Sequence, residues 1–361
     1  METVHVNLGA RSYDIEIGSG NLLSAARLCQ AERDDAHTVI ISDTNVDPLY
    51  AEPLADALVE LGSEVDMLAV DAGEPSKAPD VACELWEQLL DQGADRQTVV
   101  VALGGGVVGD LAGFVAATFG RGLRFVQIPT TLLAQVDSSV GGKVGINLPG
   151  GKNMVGAFWQ PRGVVVDVDL LGTLPEREYR AGLAEVVKYG VIQDAAFFAF
   201  LEANVEPINA RDAGVLTRIV ERCCRLKADV VEQDEREETG LRSILNYGHT
   251  FCHALEAATN YEQLLHGEGV AIGMMCAARL AQRLGRVDAA FVGRQRALLE
   301  AFRLPLEAPD VEHDELIELM YRDKKVERGR LRFVLPTRLG HVELVRDVAT
   351  DDILAALEDD R

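Results

Sequence analysis

TVVVALGGGVVGD, Thr98 to Asp110, is the segment from which the architecture can be worked out. Thr98–Leu103 is apolar and β-branched with no charged break, which is how a strand buried on both faces reads. It runs straight into three glycines, and Val107 to Phe119 continues with helical spacing. Gly104, Gly106 and Gly109 satisfy GxGxxG in the strand-to-helix context the motif needs. Glycine there lets the backbone turn tightly and approach a pyrophosphate at a helix N-terminus. The acidic residue expected about 20 positions later is missing, and Arg121 and Arg124 stand there instead. The loop also follows the third parallel strand rather than the first. The turn is therefore a dinucleotide site of another doubly wound topology, or a ligand-free bend. Asp43 and Asn45, at the end of the strand Thr38–Ser42, are better placed for ribose hydroxyls.

Outward from this segment, strands and helices alternate. TVIIS (Thr38–Ser42), EVDMLAV (Glu64–Val70), RFVQIP (Arg124–Pro129) and VVVDVD (Val164–Asp169) read as strands, with helices over Asp47–Leu61 and Pro79–Leu90 between them. Continuous apolar strands separated by helices predict a parallel sheet covered on both faces. The N-terminal residues alternate apolar and polar, which suits a strand pair and not a signal peptide. After Leu174-Pro175-Glu176 the pattern is helical to about Arg303, and only LRFVLP (Leu331–Pro336) and HVELV (His341–Val345) read as later strands. The expected fold is α/β: a Rossmann-like dinucleotide-binding domain over 1–173, then a mainly helical metal- and substrate-binding domain over 174–361. Such a plan usually places the active site in the cleft between domains.

Bulk composition narrows the function classes. The 361 residues are 48% hydrophobic, enough for two globular cores. No apolar run approaches the roughly 18 residues of a membrane helix. None of the six cysteines forms CxxC, so they read as reduced core thiols of a cytoplasmic protein. A net charge of −23 argues against nucleic-acid binding. Its bland meaning is solubility; its sharper meaning is adaptation to high salt, where screening relieves self-repulsion. An anionic substrate would need local positive charge.

Two further clusters carry chemistry. Pro129–Pro161 packs Gly141, Gly142, Gly145, Gly150, Gly151 and Gly156 with Lys143 and Lys152, and adds hydroxyls at Thr130, Thr131, Ser138 and Ser139. It reads as a long functional loop without regular structure, a cradle of backbone N–H groups and lysines for an anion. Three of the seven histidines fall close together: His249 and His253, i,i+4 on one helix, and His266 at the start of the next. A catalytic zinc needs three protein ligands and an open position. Glu185 is a candidate third ligand, with Lys188 a turn further on the same face. Spacing alone leaves open whether His253 is a ligand or a neighbour.

GGGVVGDLAGF, RGLRFVQIPTTLLAQVDSSVGGKVGIN, GKNMVGAFWQP, TLPEREYRAGLAEVVKYG, LRSILNYGHTFCHALE, LHGEGVAIG and RDKKV occur in one order and spacing along the chain. In these motifs the sequence resembles the 3-dehydroquinate synthases over essentially its full length. The resemblance implies an NAD- and zinc-dependent enzyme (cobalt could serve) of the shikimate pathway. Its substrate would be 3-deoxy-D-arabino-heptulosonate 7-phosphate, and its products 3-dehydroquinate and phosphate. By that resemblance Glu185, His249 and His266 hold the metal, and His253 lies near substrate as a proton relay. Lys152, Asn153, Lys188, Lys227, Arg242, Asn246 and Lys325 bind substrate, while Asp137 and Lys143 line its junction with the nicotinamide. NAD contacts come from Asp43, Asn45, Glu74, Lys77, Gly105, Gly106, Asp110, Thr130, Thr131 and Thr173. A homodimer is implied, with Arg121 reaching the neighbouring subunit's phosphate. Lys227 sits on an exposed-looking helix. Pro75 falls where the family varies, and DEREETGLR is one residue longer than the common form, just before Arg242. Related sugar-phosphate cyclases, an amino-dehydroquinate synthase and a metal-dependent polyol dehydrogenase are the competing readings.

Overall fold

The computed structural model describes residues 1–32, 37–322 and 331–358. The chain divides into two compact units, Met1–Leu174 with Leu216–Arg236, and Pro175–Val215 with Glu237–Arg361.

The first unit is built on β1 (Glu2–Val6), β2 (Tyr13–Gly18), α1 (Ser24–Glu32), β3 (His37–Asp43), α2 (Asp47–Glu60), β4 (Glu64–Val70), α3 (Pro79–Asp91), β5 (Val99–Gly104), α4 (Gly106–Thr118), β6 (Arg124–Pro129), β7 (Lys143–Leu148), β8 (Gly151–Phe158) and β9 (Gly163–Asp167). Seven strands form one sheet in the order β1-β2-β9-β6-β5-β3-β4. All pairs are parallel except β1 with β2. Alternate residues serve opposite cores, as a strand period of two requires. Val39, Ile41, Val100 and Ala102 pack with Ala82 and Leu85 of α3 and Leu111 and Val115 of α4. Ile40, Val99, Val101 and Leu103 pack with α1 and α2 through Ala26, Leu54 and Leu58. Because both faces are covered, these strands need apolar residues at every position, which is the pattern seen in Thr98–Leu103.

The stretch 129–161 is more ordered than the irregular loop its glycines suggest. Ala134–Ser138 is a π-helical turn, and β7 and β8 pair as an antiparallel hairpin. Gly145 and Gly156 are direct partners in that hairpin; its glycines weaken the alternation by which a strand is normally recognised.

The second unit opens with α5 (Glu176–Ile192), α6 (Ala195–Ala203) and α7 (Val205–Asn209). The chain then makes α8 (Ala213–Gln233), most of which belongs to the first unit. There Cys224 reaches the Gln135 carbonyl, and Arg225 donates to the His5 carbonyl at 2.6 Å. The second unit resumes with α9 (His249–Ala258), α10 (His266–Arg283), α11 (Ala289–Ala301), α12 (His313–Arg322), the hairpin β10 (Arg332–Arg338) and β11 (His341–Arg346), and α13 (Thr350–Glu358). Its centre is α5, buried at every residue from Ala181 to Ile192. No described helix is long and apolar enough to cross a membrane, and all six cysteines are free thiols.

Candidate active site

The central helix α5 carries Glu185, which is 1% exposed. The first turn of α10 lies directly against the same helix. A methyl group on Gly267 would fall 1.8 Å from the Ala181 carbonyl oxygen, so glycine alone permits this approach. His266 is thereby set a turn of α5 away from Ala181, next to Glu185. His249 arrives from the first residue of α9. Glu185 Oε1 lies 3.5 Å from His249 Nε2 and 3.7 Å from His266 Nε2. Atoms sharing a tetrahedral ion at about 2.0–2.1 Å stand about 3.4 Å apart, so these spacings fit shared coordination better than hydrogen bonding. All three ligand atoms lie within 4.8 Å of one another. The residues present therefore fit a divalent metal.

The protonation pattern supports this. His249 Nδ1 is 3.1 Å from the Tyr247 carbonyl. A carbonyl only accepts, so Nδ1 carries the proton and Nε2 offers its lone pair on the Glu185 side. Lys188, one turn beyond Glu185, is buried and ion-paired with the other carboxylate oxygen. The His253 ring centroid is 5.6 Å from that of His249 and 6.3 Å from that of His266, and His253 is in neither cluster of ligand atoms. A second cluster joins Cys252, Glu256 and His266. Burial holds the Cys252 thiol above its ordinary pKa despite the neighbouring His266. Neither Cys252 nor Glu256 was singled out from sequence. Glu256 lies two helical turns beyond His249, a spacing that could have flagged it. Arg242 is buried in the 3-10 turn Leu241–Asn246, its Nε 3.9 Å from Glu237, and Asn246 closes that turn.

The first unit gathers the nucleotide candidates. The chain leaves β3 for β4 on one side and returns to β5 on the other, so β3 and β5 flank the point where strand order reverses. Ligands of doubly wound sheets bind at the carboxyl ends of strands at such a point. Asp43 ends β3 and Asn45 follows it in the turn, while Gly105 and Gly106 follow β5, the neighbour of β3 in the sheet. Asp43 Oδ1 accepts from the backbone N–H groups of Asn45 and Val46. Thr130 N–H donates to the Gly104 carbonyl, and its buried Oγ1 has no hydrogen-bond partner among the described residues. An orphaned hydroxyl beside the glycine turn fits a ligand group there. Thr131 Oγ1 accepts from Ala134 N–H, and Thr173 Oγ1 pairs with Tyr50 Oη at 2.7 Å.

Lys77 ties part of this set to the hairpin. Its buried Nζ donates to Asp110 Oδ2 and Asn153 Oδ1, both at 2.7 Å. Asn147, not picked out from sequence, donates to Glu74 Oε1 at 2.7 Å and accepts from Asn153 N–H at 2.8 Å. Asn153 has a φ of 53°, a left-handed backbone that asparagine tolerates and that its two side-chain partners hold. Burial raises the Asp110 pKa, with Lys77 opposing. Lys227 is not on an exposed face: it is 6% exposed and donates to the Asp137 carbonyl at 2.6 Å, with the Asp137 carboxylate at 3.0 Å. The apolar packing of α8 buries its aliphatic stem, which the charge pattern of the helix conceals. Lys143 begins β7 and Lys152 lies in β8. Arg121, exposed and with a φ of 71°, lies in the turn before β6. Lys325 lies outside the described residues.

Comparison with known proteins agrees along the whole chain. Family models for the 3-dehydroquinate synthase N-terminal and C-terminal regions match residues 67–181 and 182–326. A curated 3-dehydroquinate synthase from Rhodopirellula baltica is 48% identical over 363 residues, covering 99% of this chain and 97% of the relative. A 2-deoxy-scyllo-inosose synthase solved with carbaglucose-6-phosphate, NAD+ and Co2+ superposes with a TM-score of 0.89 at 28% identity, over 99% of this chain and all of the other. A 2-epi-5-epi-valiolone synthase from Streptomyces hygroscopicus, solved with NAD+ and Zn2+, does so at 0.88 and 30% identity, over 96% of this chain and 95% of the other.

Proposed function

The chain belongs to the 3-dehydroquinate synthase family, and from that premise we propose that it converts 3-deoxy-D-arabino-heptulosonate 7-phosphate into 3-dehydroquinate and phosphate as a carbon–oxygen lyase. The observation that carries this function is the convergence of Glu185, His249 and His266 beside the buried Lys188. When bound, NAD and a zinc or cobalt ion supply reversible hydride exchange at C5 and polarisation of the C4 and C5 hydroxyls. The remaining work belongs to the side chains. With those groups bound, oxidation at C5 would acidify the C6 proton, so that its removal by a base would expel phosphate from C7 before the hydride returned to C5. Ring opening and an intramolecular aldol step then close the carbocycle.

Lys188 holds positive charge against Glu185 and favours a deprotonated substrate oxygen nearby. His253, next to His249 but outside the ligand set, relays a proton to or from a substrate hydroxyl. Lys152, Asn153, Lys227, Arg242, Asn246 and Lys325 bind the carboxylate, hydroxyls and phosphate. Asp137 and Lys143 serve the junction with the nicotinamide, and Arg121 serves the phosphate of a neighbouring subunit in a homodimer. Asp43, Asn45, Glu74, Lys77, Gly105, Gly106, Asp110, Thr130, Thr131 and Thr173 hold NAD. The enzyme works in the cytoplasm.

Phosphate release from 3-deoxy-D-arabino-heptulosonate 7-phosphate with catalytic NAD, before and after chelation, tests this. The expected result is release that requires both NAD and metal, with no net NADH. Stoichiometric NADH would point to a polyol dehydrogenase instead. No release from folded, loaded protein would move the substrate to amino-sugar or hexose phosphates.

A further inference from the structure

The two imidazoles that face Glu185 are held differently. His249 has its Nδ1 proton on a backbone carbonyl, and its side chain is only 11% exposed. His266 is the first residue of its helix, and its side chain is 33% exposed. Its Nδ1 lies 3.2 Å from Glu256 Oε1. Glu256 is a buried carboxylate on α9, on the helix face that also carries His249 and Cys252. A carboxylate is costly to bury unless its oxygens gain strong donors, and an imidazole N–H whose other nitrogen binds a cation is such a donor.

We propose that Glu256 is the positioning residue of the metal centre: by accepting the Nδ1 proton of His266 it turns Nε2 toward Glu185 and His249 and sets how tightly the cation is held. This rests on the metal reading proposed above and adds a residue to it. The geometry also decides between the two clusters of potential ligands. Cys252 Sγ lies 3.6 Å from the His266 carbonyl oxygen, a group that can only accept and to which a thiol can donate, and 3.9 Å from His266 Nδ1, whose nearer partner is Glu256 Oε1 at 3.2 Å. With Nδ1 occupied by Glu256, the only lone pair left on His266 is at Nε2. The cation therefore lies on the Glu185 side, and Glu256 and Cys252 stand behind the ring.

The test is equilibrium zinc affinity of the full-length protein, measured by competition with a chromophoric chelator. Glu256→Gln keeps the side-chain volume and removes the charge; it should bind zinc roughly ten- to a hundredfold more weakly, while Cys252→Ala should bind as wild type does. Thermal melts in excess chelator should be alike for wild type and Glu256→Gln, which separates positioning from a general folding defect. Wild-type affinity in Glu256→Gln, with zinc lost from His266→Ala, would overturn this role while leaving the metal centre standing. Zinc retained by Glu185→Ala and His266→Ala alike would instead defeat the metal reading itself. The cobalt-loaded protein gives a second measurement. A near-ultraviolet thiolate band that disappears in Cys252→Ala would place the ion on the Cys252 side and overturn the assignment.

Discussion

Replacing Gly267 with alanine would put a methyl group 1.8 Å from the Ala181 carbonyl oxygen, 2.5 Å from its carbon and 2.9 Å from its Cα. All three partners are backbone atoms and cannot rotate away. To restore contacts near 3 Å, the first turn of α10 must retreat from α5 by roughly 1 Å or more. His266 moves with that turn while Glu185 stays on α5. Their present separation of 3.7 Å then passes the limit of about 4.2 Å, twice a metal–ligand bond, at which one ion can reach both. The expected loss is roughly 1–3 kcal/mol of stability from overpacking and about a hundredfold in turnover from the displaced ligand. Thermal denaturation, bound metal per chain and phosphate release would be measured on the same preparation. Gly293→Ala is the control: it lies within α11, no atom of the described residues stands within 4 Å of its added carbon, and it should be neutral or gain up to about 1 kcal/mol. A Gly267→Ala enzyme with wild-type metal content and turnover would refute the idea that this backbone contact sets the ligand geometry.

Lys77→Met should lower stability by roughly 2 kcal/mol, less than stranding a fully buried charge would cost, because the Asp110 side chain is 21% exposed. It should also weaken NAD, since the lysine organises Asp110 and Asn153 together; an unchanged melting temperature and NAD titration would contradict that role. The charge of −23 predicts a melting temperature and an activity that rise with potassium chloride from about 0.1 M, where charges are screened over roughly 10 Å. A fold that melts earlier, or activity lost toward molar salt, would remove the high-salt reading.

Some of the site could be read without coordinates because its chemistry is local. Six of the seven lysines belong to the candidate set, the seventh being Lys324 beside Lys325. In a chain this acidic, a lysine was itself a signal. The pair Glu185 and Lys188 follows from helical spacing, and His266 sits at a helix start marked by its own HGEG. By contrast, Lys227 looked solvated because burial of its stem depends on the first unit's own packing, to which most of α8 belongs. Asn147 gave no signal of its own, since it matters through Glu74 elsewhere in the chain, and Glu256 showed only its helical spacing from His249, its role depending on His266 of the next helix.

By itself the sequence determined the elements: a central strand, Val99–Gly104, apolar throughout because both sheet faces are covered, a glycine turn between strand and helix, and the motif order that identifies the family. Periodicity and backbone sterics act over a few residues, so they are written locally. The tertiary structure alone decided that β3 and β5 are neighbours at the reversal of strand order, that 129–161 folds into a hairpin, and that His266 meets Glu185. Those outcomes depend on which distant surfaces approach closely enough to pack. A single missing methyl group at Gly267 sets that distance for α5 and α10, and no local pattern records it.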